Sequence, residues 1–534
     1  MQIPSPGFLI SAFFAVCRRF PGTMLCAILG TFSCIYLINE GGGSWEDQDL
    51  YIRIWITCQL GLPFLTSVLV FSESKNWDEK KGWLLQILGI GALVGCWFWL
   101  NPKAEHFEER ILPQYMALIL VAHLAVAVAP FLNARPVREF WEYNRQLFAN
   151  LIVGAAFTLI LFVGLSLAIL AVDNLFDTHI PDRIYPNLFS LLAGIFNTAY
   201  FLFHFPQKHQ IDSSITENIA VKGTYGWVFR NLCKYILIPI VILYFVILYA
   251  YGAKIGLEWS LPKGWVSSLV VGFSVAGIFS YLLNFYLPEE DKSLIVTGFK
   301  RWFWWVLLPL TGLLFIAIGK RISDYGVTEE RFLVAQLGIW LALSCLYFLF
   351  SKNDNIKFIP ISLGLFALAW AFGPLSAFSV SERSQKRILI EILERNGRLE
   401  NGKFKPGNSP LTGPEQDQAS SIIYYLQNRN ELSAMLPVPI DSTLLQPYSL
   451  LQWLKIDDTS VKNTRTLSIS PSNESEPLDV SGYDLAYNVN LTYTINEDER
   501  ADPGNFFGLS QDNKMLEWRQ NKAGKTNLVE MFSL

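Results

Sequence analysis

Charged side chains are scarce in this sequence. Asp, Glu, Lys and Arg make up 16% of the 534 residues, whereas an average soluble domain carries about 25%. The 42 basic and 46 acidic residues give a net charge of -4, and Lys and Arg are spread out rather than gathered into a polybasic run. Nucleic-acid binding surfaces need such a basic patch. The composition therefore predicts no nucleic-acid partner.

Cysteine is also scarce, and the usual catalytic fingerprints are missing. Seven cysteines are present, all in or beside apolar runs, and none follows Cys345. Their spacing offers neither a disulfide framework nor the paired CxxC of a zinc site. No GxSxG, P-loop, HExxH or dinucleotide-binding fingerprint stands in a suitable context. We therefore predict no metal site and no cofactor.

Long apolar runs take the place of charge. Hydrophobic residues make up 51% of the chain, and the mean hydropathy is +0.30. A helix that crosses a bilayer core of about 30 Å needs about 20 apolar residues. By this rule the sequence predicts a polytopic, mainly α bundle of about eleven transmembrane helices. The predicted spans lie near residues 21–39, 53–72, 83–101, 112–132, 147–172, 186–205, 233–251, 265–287, 302–319, 332–350 and 359–378.

Basic residues in the short connectors predict the orientation of the bundle. Lys and Arg favour the cytoplasmic side, and alternate connectors are rich in them, beginning with Arg18 and Arg19. The other connectors are more acidic, so we expect a cytoplasmic N-terminus. Residues 1–20 carry their arginines after the apolar stretch, which is wrong for a signal peptide and favours an amphipathic cytoplasmic lead-in. An odd number of spans places the C-terminus outside.

The last third of the chain has a different composition. From residue 381 it is polar and rich in Asn, Ser, Pro and Gly. One helix is predicted to end at Asn396 and Gly397, another is predicted over 414–430, and alternation over 483–495 is typical of a strand. We therefore expect a transmembrane domain at 21–380 and a small extracytoplasmic α+β domain at 381–534. A cysteine-free external domain is compatible with the periplasmic side of a bacterial inner (cytoplasmic) membrane.

The short connector at residues 320–332, which lies between two apolar runs, carries much charge of both signs. We call it the charged connector. Gly326 in this connector is a typical turn residue after a helix, and Thr328 is a typical N-cap. The acidic residues Asp324, Glu329 and Glu330 neutralise Arg321 and Arg331 in one interpretation, which gives an ion-paired hairpin. In the other, the arginines bind an anionic headgroup or a partner's carboxylate. The candidate ligand or partner site comprises Arg321, Asp324, Tyr325, Glu330 and Arg331.

Three stretches of the sequence carry a resemblance to a known family. They are RISDYGVTEERF, AFGPLSAFSVSERSQKRIL and LERNGRLENGKF, and the residues concerned are Arg321, Tyr325, Gly326, Thr328, Arg331, Gly373, Pro374, Ser384, Gln385 and Arg387. The chain resembles, over most of its length, a family of bacterial polytopic inner-membrane proteins known only as a domain of unknown function. The resemblance implies a topology and a location, but no activity.

An acidic loop is the main catalytic candidate. Glu46, Asp47 and Asp49 follow a Gly-rich stretch just outside the first span. The layout is similar to that of polytopic glycosyltransferases that use lipid-phosphate donors, in which a carboxylate acts as general base or cation ligand. An ordinary solvated loop explains the same residues.

Two further acidic groupings and two histidines lie in or near the spans. The groupings are Glu105, His106, Glu108 and Glu109, and Asp173, Asp177, His179 and Asp182. Neither has a recognised metal spacing. His123 and His204 are the main ionisable groups inside predicted spans, where such groups often mark ion or proton pathways. Lone histidines without a nearby intramembrane Asp or Glu are more often hydrogen-bonded packing residues.

Three functional hypotheses follow. The preferred one is a non-enzymatic component of envelope assembly or transport, in which the hairpin docks the external domain, a membrane lipid headgroup or an envelope protein partner. The alternative is a membrane-embedded transferase that uses a lipid-linked donor on the external face. A transporter is the second alternative.

Overall fold

The fold is taken from a computed structural model, and it divides into two compact units, Met1–Ser384 and Gln385–Leu534. Each unit is described by itself. The described residues are 5–40, 45–75, 77–101, 107–132, 136–206, 230–258, 265–351, 354–400, 402–407, 410–411, 413–427, 429, 431–432, 435–436, 444, 447–456, 465–469, 491–495, 505–509, 515–522 and 525–533.

The first unit is built from helices. In chain order they are α1 (Pro6–Arg19), α2 (Pro21–Asn39), α3 (Trp45–Ser74), α4 (Glu79–Trp99), α5 (Leu112–Val128), α6 (Val137–Phe176), α7 (Ile184–Leu191), α8 (Asn197–Phe203), α9 (Ile238–Glu258), α10 (Trp265–Asn284), α11 (Leu287–Glu290), α12 (Leu294–Tyr325), α13 (Glu329–Phe350), α14 (Phe358–Ala371) and α15 (Ala377–Arg395). The unit boundary falls inside α15. Short π-helical turns precede α5 and α9 and join α7 to α8.

Ten stretches of the described residues are long and apolar enough to cross a membrane. They are Pro21–Asn39, Gln48–Ser74, Glu79–Trp99, Phe107–Phe131, Val137–Phe176, Ile184–Phe203, Arg230–Glu258, Ser267–Asn284, Leu294–Tyr325 and Glu329–Phe350. Each overlaps a predicted span. The prediction of a mainly α, multi-pass membrane bundle is therefore confirmed.

The eleventh predicted span, 359–378, corresponds to a shorter apolar helix. Helix α14 has 14 residues, which at 1.5 Å per residue rise about 21 Å, less than the core thickness of about 30 Å. Phe372 leaves the helix in an extended conformation, and Gly373 then turns the chain with φ of 93°. The described residues thus contain ten helical stretches long enough to span and one shorter apolar helix, and the side on which each terminus lies stays a prediction.

Helix α6 is much longer than the span predicted from its sequence. It runs for 40 residues, whereas only 147–172 reads as a span. The polar residues 137–146 continue the same helix instead of forming a connector. Asp177 ends it in the left-handed conformation, with φ of 51°.

The predicted lead-in forms helix α1. Ser5 caps it, because its side chain accepts a hydrogen bond from the Phe8 N–H at 3.3 Å. Phe8 and Phe14 are exposed on the surface of this unit, as expected for a helix that rests on a membrane. Its position along the membrane surface remains a prediction.

Aromatic side chains and close helix contacts form the core of the first unit. Trp304 of α12 stacks on Phe348 of α13 with ring centroids 4.6 Å apart, and Tyr281 of α10 packs on Trp304. At Gly277 of α10, an added Cβ would stand 2.7 Å from the Phe303 ring. Small residues of this kind let membrane helices approach closely, so α10, α12 and α13 form one tight layer.

The second unit contains both helices and strands, as the α+β prediction requires. Its helices are the C-terminal part of α15, α16 (Pro414–Gln427) and α17 (Pro447–Trp453), and its strands are β1 (Leu399–Glu400), β2 (Lys403–Phe404), β3 (Arg465–Ile469), β4 (Leu491–Ile495), β5 (Asn505–Leu509), β6 (Met515–Lys522) and β7 (Lys525–Ser533). The strands pair antiparallel as β1 with β2, β3 with β4, and β5-β6-β7 in order. Leu393, Ile423 and Leu450 are buried in the core of this unit.

Candidate functional site

The charged connector forms a tight turn between α12 and α13. Gly326 has φ of 74°, and its N–H donates to the Ile322 carbonyl at 2.9 Å. Thr328 stands at the N-cap of α13 in an extended conformation, although its side chain makes no capping hydrogen bond. Glu329 and Glu330 occupy the first turn, where the helix dipole favours negative charge. The predicted turn and helix start are therefore where the sequence places them.

Arg331 closes this turn by binding the end of the preceding helix. Its Nη1 donates to the carbonyls of Tyr325 at 3.1 Å and Gly326 at 2.9 Å. Its Cζ lies 5.4 Å from the centre of the Tyr325 ring. The carbonyls at a helix C-terminus carry partial negative charge and need donors. Backbone carbonyls therefore bind Arg331 in place of the carboxylates that the sequence interpretation gave it as partners.

The remaining residues of the predicted site are arranged around this turn. Asp324, Tyr325 and Glu330 are exposed, and Arg321 is half-buried. Within the described part of the chain, no carboxylate oxygen comes within 4.0 Å of a guanidinium nitrogen of Arg321 or Arg331. The ion-paired hairpin of the sequence interpretation is thus replaced by an arginine bound to backbone carbonyls.

A contact that the sequence gave no sign of links the turn to helix α15. The N–H of Val327 donates to the hydroxyl oxygen of Ser384 at 3.0 Å. These two residues are separated by 57 positions, and both lie in stretches that carry the family resemblance. The contact ties the turn to the end of the first unit.

The segment before Ser384 is also anchored within the first unit. Gln114 of α5 donates to the Ala371 carbonyl at 2.7 Å. Arg110 lies 3.9 Å from a carboxylate oxygen of Glu382 and packs over the Phe378 ring. Residues 371–384 are therefore held on one side by helix α5 and its preceding turn, and on the other by the charged connector. We call the residues Gly326, Val327, Arg331, Glu382 and Ser384, together with Arg110, the hairpin junction.

Of the acidic loop, only Asp49 has a described side chain; those of Glu46 and Asp47 lie outside the described residues. Asp49 Oδ2 accepts from Arg53 Nε at 2.9 Å, one helical turn away. Arg53 also donates to Asn101 Oδ1 at 2.6 Å and packs over Trp97. Asp49 therefore holds Arg53 in place through Oδ2.

The second acidic grouping forms a capped turn. Asp173 Oδ1 accepts from the Thr178 hydroxyl at 3.2 Å and from the Ile180 N–H at 2.8 Å. His179 and Asp177 are highly exposed. In the first grouping, Glu105 and His106 lie outside the described residues, and Glu108 and Glu109 belong to the π-helical turn before α5. Among the residues that were described, no three His, Cys, Asp or Glu side chains are placed to hold a metal ion.

The two histidines bond to their own helices. His123 Nδ1 lies 2.8 Å from the Ile119 carbonyl, and His204 Nδ1 lies 3.0 Å from the Tyr200 carbonyl. Both contacts span one helical turn. The His204 ring also packs on the Tyr200 ring, with centroids 4.4 Å apart.

Two ion pairs near the predicted cytoplasmic ends of the helices were missed from the sequence. Arg19 binds both carboxylate oxygens of Glu73, at 3.1 and 2.9 Å, and also donates to the carbonyls of Phe205 and Pro206. Sequence reasoning used Arg19 only as a marker of orientation. Its partners lie on α3 and after α8, and no local pattern identifies them.

The second missed pair joins the start of α9 to the connector before α12. Lys234 Nζ lies 2.8 Å from Asp291 Oδ2, and the Ser293 N–H donates to Asp291 Oδ1 at 2.9 Å. The Lys234 ammonium, together with the hydrogen bond from the Ser293 N–H, lowers the pKa of the Asp291 carboxyl to about 2. The Asp291 side chain is 13% exposed, so this charge is held inside the surface of the unit.

Comparison with known proteins identifies relatives of unknown activity. An uncharacterized protein of Pasteurella multocida (strain Pm70), PM1469, is 26% identical over 262 residues, which are 48% of this chain and 42% of that protein. The chain therefore matches less than half the length of this curated relative. No solved structure matches. A family model described as a domain of unknown function (DUF4153) matches residues 24–389, more than half of the chain. The resemblance found in the sequence is thereby confirmed, and the chain belongs to the DUF4153 family.

Proposed function

We propose that this chain is a multi-pass protein of the bacterial inner membrane that acts, without catalysing a reaction, in envelope assembly or in transport. The main support is the hydrogen bond from the Val327 N–H to Ser384 Oγ. This hydrogen bond connects two of the stretches that carry the family resemblance. The connection is a structural contact and not a cluster of catalytic side chains. Arg331 and Asp49 are likewise bound to neighbouring groups.

The N-terminus lies in the cytoplasm and the hairpin junction outside, in this proposal. The basic connectors, which contain Arg19, Arg138 and Lys292, favour one side, and the turn at Gly326 follows the next span after Lys292. Alkaline phosphatase is active only outside the cytoplasm. We expect activity from a fusion after residue 327 and none from a fusion after residue 292, and the reverse pattern would overturn the orientation.

The exposed face of the hairpin junction binds an envelope partner in this proposal. Asp324, Tyr325 and Glu330, which adjoin junction residues in the chain, are exposed, and Tyr and Arg are enriched where proteins bind one another. Arg331 keeps a positive charge because its contacts are neutral carbonyls. A carboxylate of a protein partner, or of the chain's own C-terminal domain, or the phosphate of a lipid headgroup would complement that charge.

The experiment compares variants in a host whose own copy of the gene is deleted. Envelope integrity is measured by sensitivity to detergent and to large hydrophobic antibiotics, at equal protein levels. We expect Arg331→Ala to fail to restore integrity, because the junction loses its charge. The double variant Glu46→Gln/Asp47→Asn should restore it, because the acidic loop has no catalytic role in this proposal.

The opposite outcome would favour the membrane-embedded transferase. If the double amide variant failed at normal protein level while Arg331→Ala restored integrity, the carboxylates of Glu46 and Asp47 would be essential and the non-enzymatic proposal would be wrong. His123→Leu and His204→Leu test the transporter. Loss of function in both would point to a proton pathway.

A further inference from the structure

A cavity of about 340 Å³ lies in the side of the helix bundle. Its wall is formed by α5, α6, α10, α13 and α14, and it is almost entirely apolar; Phe148, Ile278 and Leu337 are typical lining residues. Small-molecule pockets in proteins enclose about 300–1,000 Å³. The cavity is therefore large enough for a ligand, and its wall selects an apolar one.

The length of the cavity corresponds to one leaflet of a bilayer. Along α10 the lining runs from Val271 to Leu283, which at 1.5 Å per residue is about 18 Å. One half of the hydrocarbon core is about 15 Å deep. A cavity with this depth and an apolar wall fits an acyl chain better than a compact solute.

Polar side chains are gathered at one end of the cavity, where α6 enters the predicted membrane boundary. Trp141 Nε1 donates to the Leu282 carbonyl at 2.7 Å, and Asn144 donates to the Ala127 and Phe140 carbonyls. These polar groups are therefore already satisfied by backbone. Trp at this depth is typical of a membrane interface.

Arg145 is the charged group of this end. Its Nε and Nη2 bind the two carboxylate oxygens of Glu142, at 3.1 and 2.5 Å, and its Cζ lies 5.6 Å from the Trp141 ring centre. Within the described part of the chain, its Nη1 donates no hydrogen bond. A guanidinium with a remaining donor pair is a suitable partner for a phosphate oxygen.

We propose that the cavity binds one acyl chain of a membrane glycerophospholipid, whose phosphate accepts a hydrogen bond from Arg145 Nη1. The apolar wall holds the chain, and Arg145 fixes the headgroup at the boundary. The remaining Nη1 donor of Arg145 selects a lipid with a phosphate, whose oxygen can accept the hydrogen bond, rather than a lipid that lacks one. Glu142 competes with the phosphate for Arg145, so it weakens the site.

The first test fills the cavity. Ala127→Phe places a ring in the wall, and Ala156→Phe is the matched control, because Ala156 is exposed on α6 and does not line the cavity. The full-length protein is purified from membranes in mild detergent, and retained phospholipid is counted by native mass spectrometry. We expect Ala127→Phe to lose a lipid that wild type and Ala156→Phe retain. Equal retention in all three would overturn the proposal.

The second test addresses the headgroup. Binding of phosphatidylglycerol and of diacylglycerol, which lacks the phosphate, is compared in nanodiscs. We expect Arg145→Gln to weaken phosphatidylglycerol binding about tenfold, as for loss of a charge-assisted hydrogen bond, and to leave diacylglycerol binding unchanged. Glu142→Gln should strengthen phosphatidylglycerol binding, because it frees the guanidinium.

Arg145→Gln and Glu142→Gln are expected to change phosphatidylglycerol binding in opposite directions. This difference distinguishes recognition of the headgroup from a purely structural role of the ion pair. A merely structural ion pair would make both variants lose lipid equally, and that result would overturn the assignment of Arg145. Equal binding of diacylglycerol and phosphatidylglycerol to wild type would do the same. If a hydrophobic helix of another protein occupied the cavity instead, Ala127→Phe would release that protein and leave the phospholipid count unchanged, which would also overturn the proposal.

Discussion

Arg19 ends helix α1 and Arg331 lies in the first turn of α13. Both bind backbone carbonyls, but only Arg19 is neutralised by a carboxylate. Arg19 donates to the Phe205 and Pro206 carbonyls and also binds both carboxylate oxygens of Glu73. Arg331 donates to two carbonyls at the end of α12, and no described carboxylate lies within 4.0 Å of it. Arg19 links α1 to α3 and to the segment after α8, and Glu73 neutralises its charge. Arg331 stabilises a turn and keeps its charge.

The difference indicates which of the two can serve recognition. Arg19 uses all three of its guanidinium nitrogens on Glu73 and on two carbonyls, so it has no free nitrogen with which to bind a further partner. An arginine bound only to neutral carbonyls still attracts an anion. We therefore expect Arg19 to serve stability, and we propose that Arg331 serves both the turn and binding; changes at each residue test this proposal.

Loss of Arg19 should have the largest effect on stability. Arg19→Ala leaves the Glu73 carboxylate partly buried without its partner and leaves two carbonyls without a donor. We expect a loss of about 2–3 kcal/mol in the free energy of unfolding, measured by thermal denaturation in detergent.

Glu73→Gln is the control for this prediction. Arg19 then keeps its hydrogen bonds to the Phe205 and Pro206 carbonyls. We therefore expect a smaller loss in the free energy of unfolding, of about 1 kcal/mol. Equal losses in Arg19→Ala and Glu73→Gln would mean that the carbonyl contacts contribute nothing, and the similarity between Arg19 and Arg331 would then be superficial.

Loss of Arg331 should have a smaller and more local effect. Arg331→Ala removes two hydrogen bonds from a charged donor but leaves no carboxylate unpaired, so we expect a loss of about 1–2 kcal/mol. Faster amide hydrogen exchange should be confined to residues near Gly326. Arg331→Lys keeps the charge without the planar fork; it should restore envelope integrity in part while exchange stays fast. Restoration of both by Lys would contradict a role for the fork.

The ion pair between Lys234 and Asp291, like that of Arg19, should serve stability. The free energy of unfolding should therefore depend on pH through the Asp291 carboxyl. The pKa of Asp291 is lowered to about 2 in the folded protein, from about 3.9 in an unfolded chain. A lowered carboxyl pKa stabilises the fold above the unfolded value, and this contribution is lost as pH falls from about 4 to about 2. We expect wild type to melt higher than Asp291→Asn at pH 7, with the gap closing over that range. A gap independent of pH would contradict the assignment.

Much of the fold is predictable because apolar length determines it. The predicted span 21–39 coincides with helix Pro21–Asn39, since Pro21 starts the helix and the apolar run ends at Asn39. The length of an apolar run does not predict where a helix begins when polar residues are also helical, as in residues 137–146 of α6. It also fails at residues 372–378, where apolar composition continues after Gly373 has turned the chain.

The candidate site was predictable only in its local geometry. The turn at Gly326 and the helix start at Glu329 follow from residue type. The partner of Arg331 did not follow, because sequence shows nearby carboxylates but not the carbonyls that a turn brings under the side chain. The contact between Val327 and Ser384 joins residues 57 positions apart, and no periodicity relates them.

Hydrogen exchange at Val327 tests the hairpin junction most directly. The full-length protein in nanodiscs is compared with Ser384→Ala, with Ser379→Ala as control, because Ser379 lies on the same helix and hydrogen-bonds to Ser376 and Gly373. We predict a protected Val327 amide in wild type and Ser379→Ala, and exchange about five- to tenfold faster in Ser384→Ala, as for one lost hydrogen bond of about 1 kcal/mol. An equally protected amide in all three proteins would contradict the junction and the role built on it.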